Sequence, residues 1–206
     1  MSLAPGFIIA SPPLGDPNFD RTVVLLALHG PQGALGFVVN RVAPLKLGEV
    51  MSMAGYGPRY SALSGPVYVG GPVEPGSGWI LYREPSFAPG VEGVIDVTAS
   101  VKISSSRDVF DALARELEPS LPASAPQGEP SRDVTEQLGQ RMVFLGYSGW
   151  GPGQLEGEIA QGAWLPAPFD PSVIFDVEPE RRWEAAYALM GVSPFMSMGM
   201  RTVGDA

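Results

Sequence analysis

The chain reads as an α+β domain built on a mixed β-sheet, and three observations carry that prediction. Continuous apolar runs at 23–28, 35–39 and 142–145 have the β-branched and leucine-rich composition of strands buried on both faces. Shorter strand patterns at 67–69, 79–82, 94–98 and 173–175 occur without regular intervening helices, which favours hairpins and a mixed sheet over a doubly wound one. Two amphipathic stripes, one mid-chain and one near the C-terminus, make up the helical part.

Taken in order, the first apolar run is 7–10, and the strand at 23–28 passes into 35–39 through the turn Gly30-Pro31-Gln32-Gly33. A short helix is expected over 47–54. Ser105, with Asp108 three residues on, resembles a capping box, and Val109, Phe110, Leu113 and Leu117 then form a helical stripe. Residues 118–132 are rich in Pro, Ser and Ala and aperiodic, so they read as a flexible surface loop. They are no domain linker, because the strand that follows needs the earlier strands to complete a core. A strand over 141–145 leads into a glycine-rich corner and a helix over 154–163. Pro179 stands at a first-turn position, Trp183, Ala186, Tyr187 and Met190 form the apolar face, and Gly191 stops the helix. The tail beyond Ser193, with Met196, Met198 and Met200, has the apolar content to dock on the body or a partner. The whole of 1–206 is expected to be a single domain.

Composition narrows the function. With 206 residues, 45% hydrophobic and 17% charged, the chain is long and apolar enough to bury a core. The 26 Gly and 22 Pro imply many turns and short elements. No apolar run approaches a membrane span, and no basic residue precedes Arg21, so a signal peptide is not expected and the protein reads as cytoplasmic. The absence of cysteine excludes disulfides, thiolate nucleophiles and zinc ribbons, and the single histidine, His29, excludes multi-histidine metal sites. No cofactor is expected, and any metal would have to be a hard ion on carboxylates. The net charge of −9, with 13 basic residues and no basic cluster beyond Arg181-Arg182, disfavours direct nucleic-acid binding.

The most informative stretch is Gly146-Tyr147-Ser148-Gly149-Trp150-Gly151-Pro152-Gly153-Gln154-Leu155-Glu156. Its glycines permit sharp turns and close approach, and the helix that follows offers free N–H groups. Those properties suit a ligand cradle and a structural corner equally. Gly146 to Trp150 approximates a nucleophile elbow, but Trp150 stands where the final glycine belongs. Ser148 would need His29 as its base, held by a carboxylate such as Asp16 or Asp20; the structural alternative is a serine that caps the helix or bonds the turn. The glycines lack the dinucleotide spacing and the phosphate-loop lysine, and Glu156 and Glu158 in the first turns satisfy the helix dipole and repel an anion. Asp16-Pro17-Asn18-Phe19-Asp20 begins like a calcium loop but has Arg21 in place of the glycine. It reads better as a turn, with Arg21 paired to Asp16, Asp20 or a glutamate. His29 and Asn40 end strands and are expected to bond locally. Trp150 and Trp164 suit either stacking surfaces or core.

These motifs together resemble the YqgE/AlgH family. The resemblance rests on Pro5-Gly6-Phe7-Ile8-Ile9-Ala10-Ser11-Pro12, Asp16-Pro17, Phe19 and Arg21 to Leu26 with His29, and on Gly33 to Arg41. It continues through Tyr68-Val69-Gly70-Gly71-Pro72-Val73, the corner with Glu158, Ala163-Trp164-Leu165, and Phe175-Asp176 with Trp183 and Gly191. It covers nearly the whole chain. The resemblance implies an α+β domain with mixed, partly barrel-like β-sheets and flanking helices, in a cytoplasmic bacterial protein. One branch of the family is labelled a transcriptional regulator through an association with alginate synthesis, without an assigned reaction or DNA-binding motif.

Two functional expectations follow. The first is a non-enzymatic binding or regulatory protein that engages a protein or small-molecule partner through a surface comprising Asp16, Arg21, His29, Asn40, Ser148, Gly149, Trp150, Gln154 and Glu156. The second is a hydrolase using Ser148 with His29, or a carboxylate pair such as Asp16 and Glu156 around water.

Overall fold

The computed structural model describes residues 2–11, 19–84, 91–125 and 131–191. Along the chain the strands are β1 (Gly6–Ala10), β2 (Val23–Gly30), β3 (Gly33–Val38), β4 (Leu63–Ser64), β5 (Val67–Val69) and β6 (Val73–Arg83). They continue with β7 (Val94–Asp96), β8 (Val101–Ser104), β9 (Arg132–Asp133), β10 (Arg141–Trp150) and β11 (Trp164–Pro168). The α-helices are α1 (Leu47–Met51), α2 (Arg107–Leu117), α3 (Thr135–Leu138), α4 (Gln154–Ala160), α5 (Pro171–Phe175) and α6 (Arg182–Ala188). This is the α+β class the sequence predicts. The chain forms two compact units, one from Met1–Arg41, Gly70–Pro75 and Tyr147–Ala206, the other from Val42–Val69 and Gly76–Gly146.

In the first unit, β11, β1, β2, β3 and the end of β10 form an antiparallel sheet in that order. The all-apolar runs are explained by cover on both faces. Ile8, Ala10, Val24, Leu26 and Val38 join Trp150, Leu155 and Trp164 in one cluster. The alternate residues Phe7, Ile9, Val23, Leu25 and Phe37 are equally buried, Phe7 lying 5.6 Å from the Phe169 ring, and α6 packs on β1 and β2. Arg182 is buried and donates from Nη1 to the Val39 carbonyl and from Nε to the Val177 carbonyl at 2.9 Å. It thereby satisfies two carbonyls that no ladder reaches.

In the second unit, β5 runs parallel to β10, and β6, β8 and β7 are antiparallel neighbours. One core gathers Leu47, Met51, Tyr60, Val67, Ile80, Tyr82, Leu138 and Val143 with the Val109, Phe110, Leu113 and Leu117 stripe of α2. The α2 cap is Ser106, which accepts the Asp108 N–H at 3.2 Å, one residue later than the sequence pattern suggests. The expected 47–54 helix ends at Met51 and gives way to a π-turn, Ser52–Tyr56, in which Gly55 has φ 90°. There Tyr56 donates to Asp111 at 2.6 Å while the Arg107 guanidinium lies 4.2 Å over its ring. Burial, and then that bond, push the Tyr56 phenol up.

Three expectations are corrected. Residues 173–175 are not a strand: Asp170 caps a helix start and Pro171 takes its first turn, so α5 forms. The 141–145 strand runs on to Trp150, because β3 offers a paired edge to 148–150. The helix after the corner ends at Ala160, not Ala163. On the flanks of the 118–132 segment, Arg59 Nε donates to the Pro122 carbonyl at 2.7 Å and β9 pairs with β4. Residues 126–130, the methionine-bearing tail and Asp16 lie outside the described residues. Among the described residues no helix is long and apolar enough to cross a membrane.

Three carboxyls are held below the ordinary carboxylate range. Tyr56 and then Arg107 do this to Asp111, the Thr135 hydroxyl and N–H to Asp133, and Ser172 to Asp170. The folded protein therefore binds fewer protons than the unfolded chain as pH enters that range. Their contribution is complete above the range and is lost as pH falls through the depressed values. Asp170→Ala should cost about 1 kcal/mol at neutral pH through loss of the cap. It should also flatten part of the acid-side decline, measured as denaturant stability from pH 7 to pH 3.

Candidate functional site

The glycine-rich corner is mostly strand. Ser148, Gly149 and Trp150 pair with Gly36, Leu35 and Ala34, so Ser148 and Trp150 share one face. The turn proper is confined to 151–153, where Gly153 has φ 74° and the Gln154 N–H reaches the Gly151 carbonyl at 3.1 Å. The tight approach comes from glycines outside the corner. A Cβ on Gly33, at φ 117°, would lie 2.1 Å from the Trp150 carbonyl oxygen, and one on Gly71 would lie 2.3 Å from Ser148 Oγ. Side chains at either place would drive the strands apart.

Beyond the turn, Glu158 gathers the site. Its Oε2 accepts the indole N–H of Trp150 at 2.9 Å and that of Trp164 at 2.7 Å. Its Oε1 accepts from the Gln154 side-chain amide at 2.9 Å, and the Gln154 carbonyl oxygen accepts the Gly151 N–H at 3.0 Å. The two indoles meet edge to face, 5.8 Å apart at 83°, with the Phe19 ring 5.2 Å from Trp164. Both tryptophans are core residues, 6% and 1% exposed. A carboxylate that receives three N–H donors forms charge-assisted bonds, and it removes the cost of burying two indole donors. The expectation that Glu158 serves the helix dipole is thus corrected; only Glu156 lies in the first turn.

Ser148 neither caps α4 nor stands free. Its hydroxyl is 1% exposed and donates to the Gly70 carbonyl at 3.1 Å. His29, on β2, is held at both ring nitrogens, with a side chain 3% exposed. Nδ1 lies 3.0 Å from the Leu3 backbone N–H and must accept it. The ring proton therefore sits on Nε2, which faces Glu156 Oε1 at 3.1 Å. The structure does not bring Ser148 and His29 into a dyad: the serine proton goes to a backbone carbonyl, and the histidine lone pair is occupied by a backbone amide.

Arg21 and Asn40 form a second, separate group. Asn40 Oδ1 accepts the Val23 N–H at 2.9 Å and its Nδ2 donates to the Arg21 carbonyl at 2.8 Å, completing the ladder where β2 begins. Arg21, at φ 50°, places its guanidinium 5.5 Å over the Trp183 ring, and among the described residues it pairs with neither Asp20 nor a glutamate. Gly149, Trp150, Gln154, Glu156, His29 and Ser148 thus gather around β2, β3, β10 and α4, and Arg21 and Asn40 stand apart. Sequence reasoning missed the joint role of Glu158, Trp164 and Phe19; the available signal was the spacing of Glu158 between two tryptophans, six residues before one and eight after the other.

The DUF179 family model, described as AlgH-like, matches residues 7–125 and 127–195. A UPF0301 protein of Anaeromyxobacter dehalogenans is 40% identical over 197 residues, covering 93% of this chain and 90% of its own. A UPF0301 protein of Methylococcus capsulatus is 40% identical over 191 residues, covering 92% and 90%. The solution structure of the AlgH protein from Pseudomonas aeruginosa aligns at a TM-score of 0.70 with 32% identity, over 100% of this chain and 97% of that one. A crystal structure of a Corynebacterium diphtheriae protein, at 21% identity and a TM-score of 0.59, shares the fold over 88% and 84%.

Glu158→Ala should cost about 2–4 kcal/mol, since two buried indole N–H groups lose their acceptor. Tryptophan emission should report the same change. Glu158→Gln, which keeps one acceptor oxygen, should fall between wild type and alanine in urea denaturation.

Proposed function

The chain belongs to the AlgH-like family, and we propose that it acts as a non-enzymatic binding or regulatory protein. The observation that carries this reading is the internal use of the corner's polar groups. Ser148, His29, Trp150 and Glu158 each direct their hydrogen bonds into the protein itself, so the Ser148 proton and the His29 lone pair are both taken by backbone groups. What the corner offers outward is its rim: Gly151, Pro152, Gly153, Gln154, Glu156 and Gly157 are exposed. A protein or small ligand bound there would meet backbone amides and an acidic helix face. The net charge of −9 directs any transcriptional role through such a partner and away from DNA contact.

Gly157 permits a clean test, because a Cβ there meets nothing within 4 Å. Gly157→Arg adds bulk and a positive charge without touching the corner's bonds, and it suits a helix better than glycine does. Cross-linking in cells should recover partners with wild type that Gly157→Arg loses at unchanged thermal stability. Retention of every partner by the variant rejects this surface. Serine-directed phosphonate probes should leave the protein unlabelled; labelling abolished by Ser148→Ala would overturn the non-enzymatic reading.

A further inference from the structure

We infer that His29 is a protonation-controlled latch on the N-terminal strap, residues 2–4. The strap leads into β1, and the Leu3 carbonyl lies 2.3 Å from where a Cβ on Gly6 would stand. Leu3 and Ala4 pack against the cluster that contains Ile8, Trp150, Leu155 and Trp164. Two hydrogen bonds tie the strap to β2: the Leu3 N–H to His29 Nδ1 at 3.0 Å and the Ser2 hydroxyl to the His29 carbonyl at 3.1 Å. The first of these needs the lone pair of a neutral ring.

Protonation acts on the two ring nitrogens unequally. Nε2 carries its hydrogen in both states, so its bond to Glu156 survives and gains charge assistance. Nδ1 turns from acceptor to donor and then faces the Leu3 N–H, donor against donor, at a side chain 3% exposed. The proton that strengthens the helix contact therefore breaks the strap contact. The strap and β3 carry no titratable side chain, and β1 carries none either. Helix α4 brings Glu156, which faces Nε2, and Glu158, whose oxygens are taken by the indoles and Gln154. A charged ring and the Leu3 N–H cannot share a hydrogen bond, so the strap lets go when the ring is protonated. Opening stops at Gly6, because β1 is paired with β2 and β11 along its length. Release bares one flank of the cluster that holds Trp150.

The test is amide exchange of Leu3 in the full-length, isotope-labelled protein from pH 5 to pH 8, expressed as protection over the intrinsic rate. The His29 Cε1–H resonance is followed in parallel. Leu3 protection should fall about tenfold as the ring protonates, the weight of one ordinary hydrogen bond. His29→Asn places a carbonyl oxygen near the position of Nδ1, and its Leu3 protection should not vary with pH across the interval. Constant Leu3 protection while the ring titrates overturns the proposal, as does a ring that does not titrate in this interval. A pH dependence that persists in His29→Asn overturns it too, since another group would then control the strap.

Discussion

A buried tryptophan must find an acceptor for its indole N–H, and in the unit built on β1, β2 and β3 two of them, Trp150 and Trp164, rely on the same oxygen of Glu158. That shared acceptor joins the end of β10, the helix α4 and the start of β11. It also decides how the glycine-rich turn is used. Because Gln154 bonds both Glu158 and the Gly151 amide, the turn is fastened to the carboxylate from its two ends. The packing of the aromatic cluster, the direction of α4 and the placing of Glu156 against His29 all depend on this arrangement.

The same economy shapes the function. Active sites keep a nucleophile, a base or an acceptor available to something outside the fold, and they pay for it in stability. Here the groups that look reactive in the sequence are spent within the fold. Ser148 bonds a carbonyl, His29 is held by a backbone amide and a glutamate, and the indoles share one carboxylate. What faces solvent is a glycine-containing, acidic rim.

The histidine is the exception to permanence among these contacts. Its bond to the strap depends on the protonation state of the ring, whereas the serine, indole and amide bonds around it involve no such change.

Local patterns in the sequence determined much of the fold: the apolar strand runs, the α2 stripe and the presence of a C-terminal helix are set by composition and spacing along the chain, although that helix ends at Ala188 and not at Gly191. Cap chemistry was also local at 170–172, yet the apolar run Val173-Ile174-Phe175 reads as a strand when taken without its Asp-Pro start. Tertiary structure alone decided the site. A carboxylate eight residues past one tryptophan and six before another becomes a shared acceptor only when a strand, a helix and the next strand are packed together. Likewise, whether Ser148 and His29 meet depends on registers across β2, β3 and β10, and on which backbone groups those registers leave without partners. The sequence supplies donors and acceptors, but their pairing over a hundred or more residues is a property of the fold.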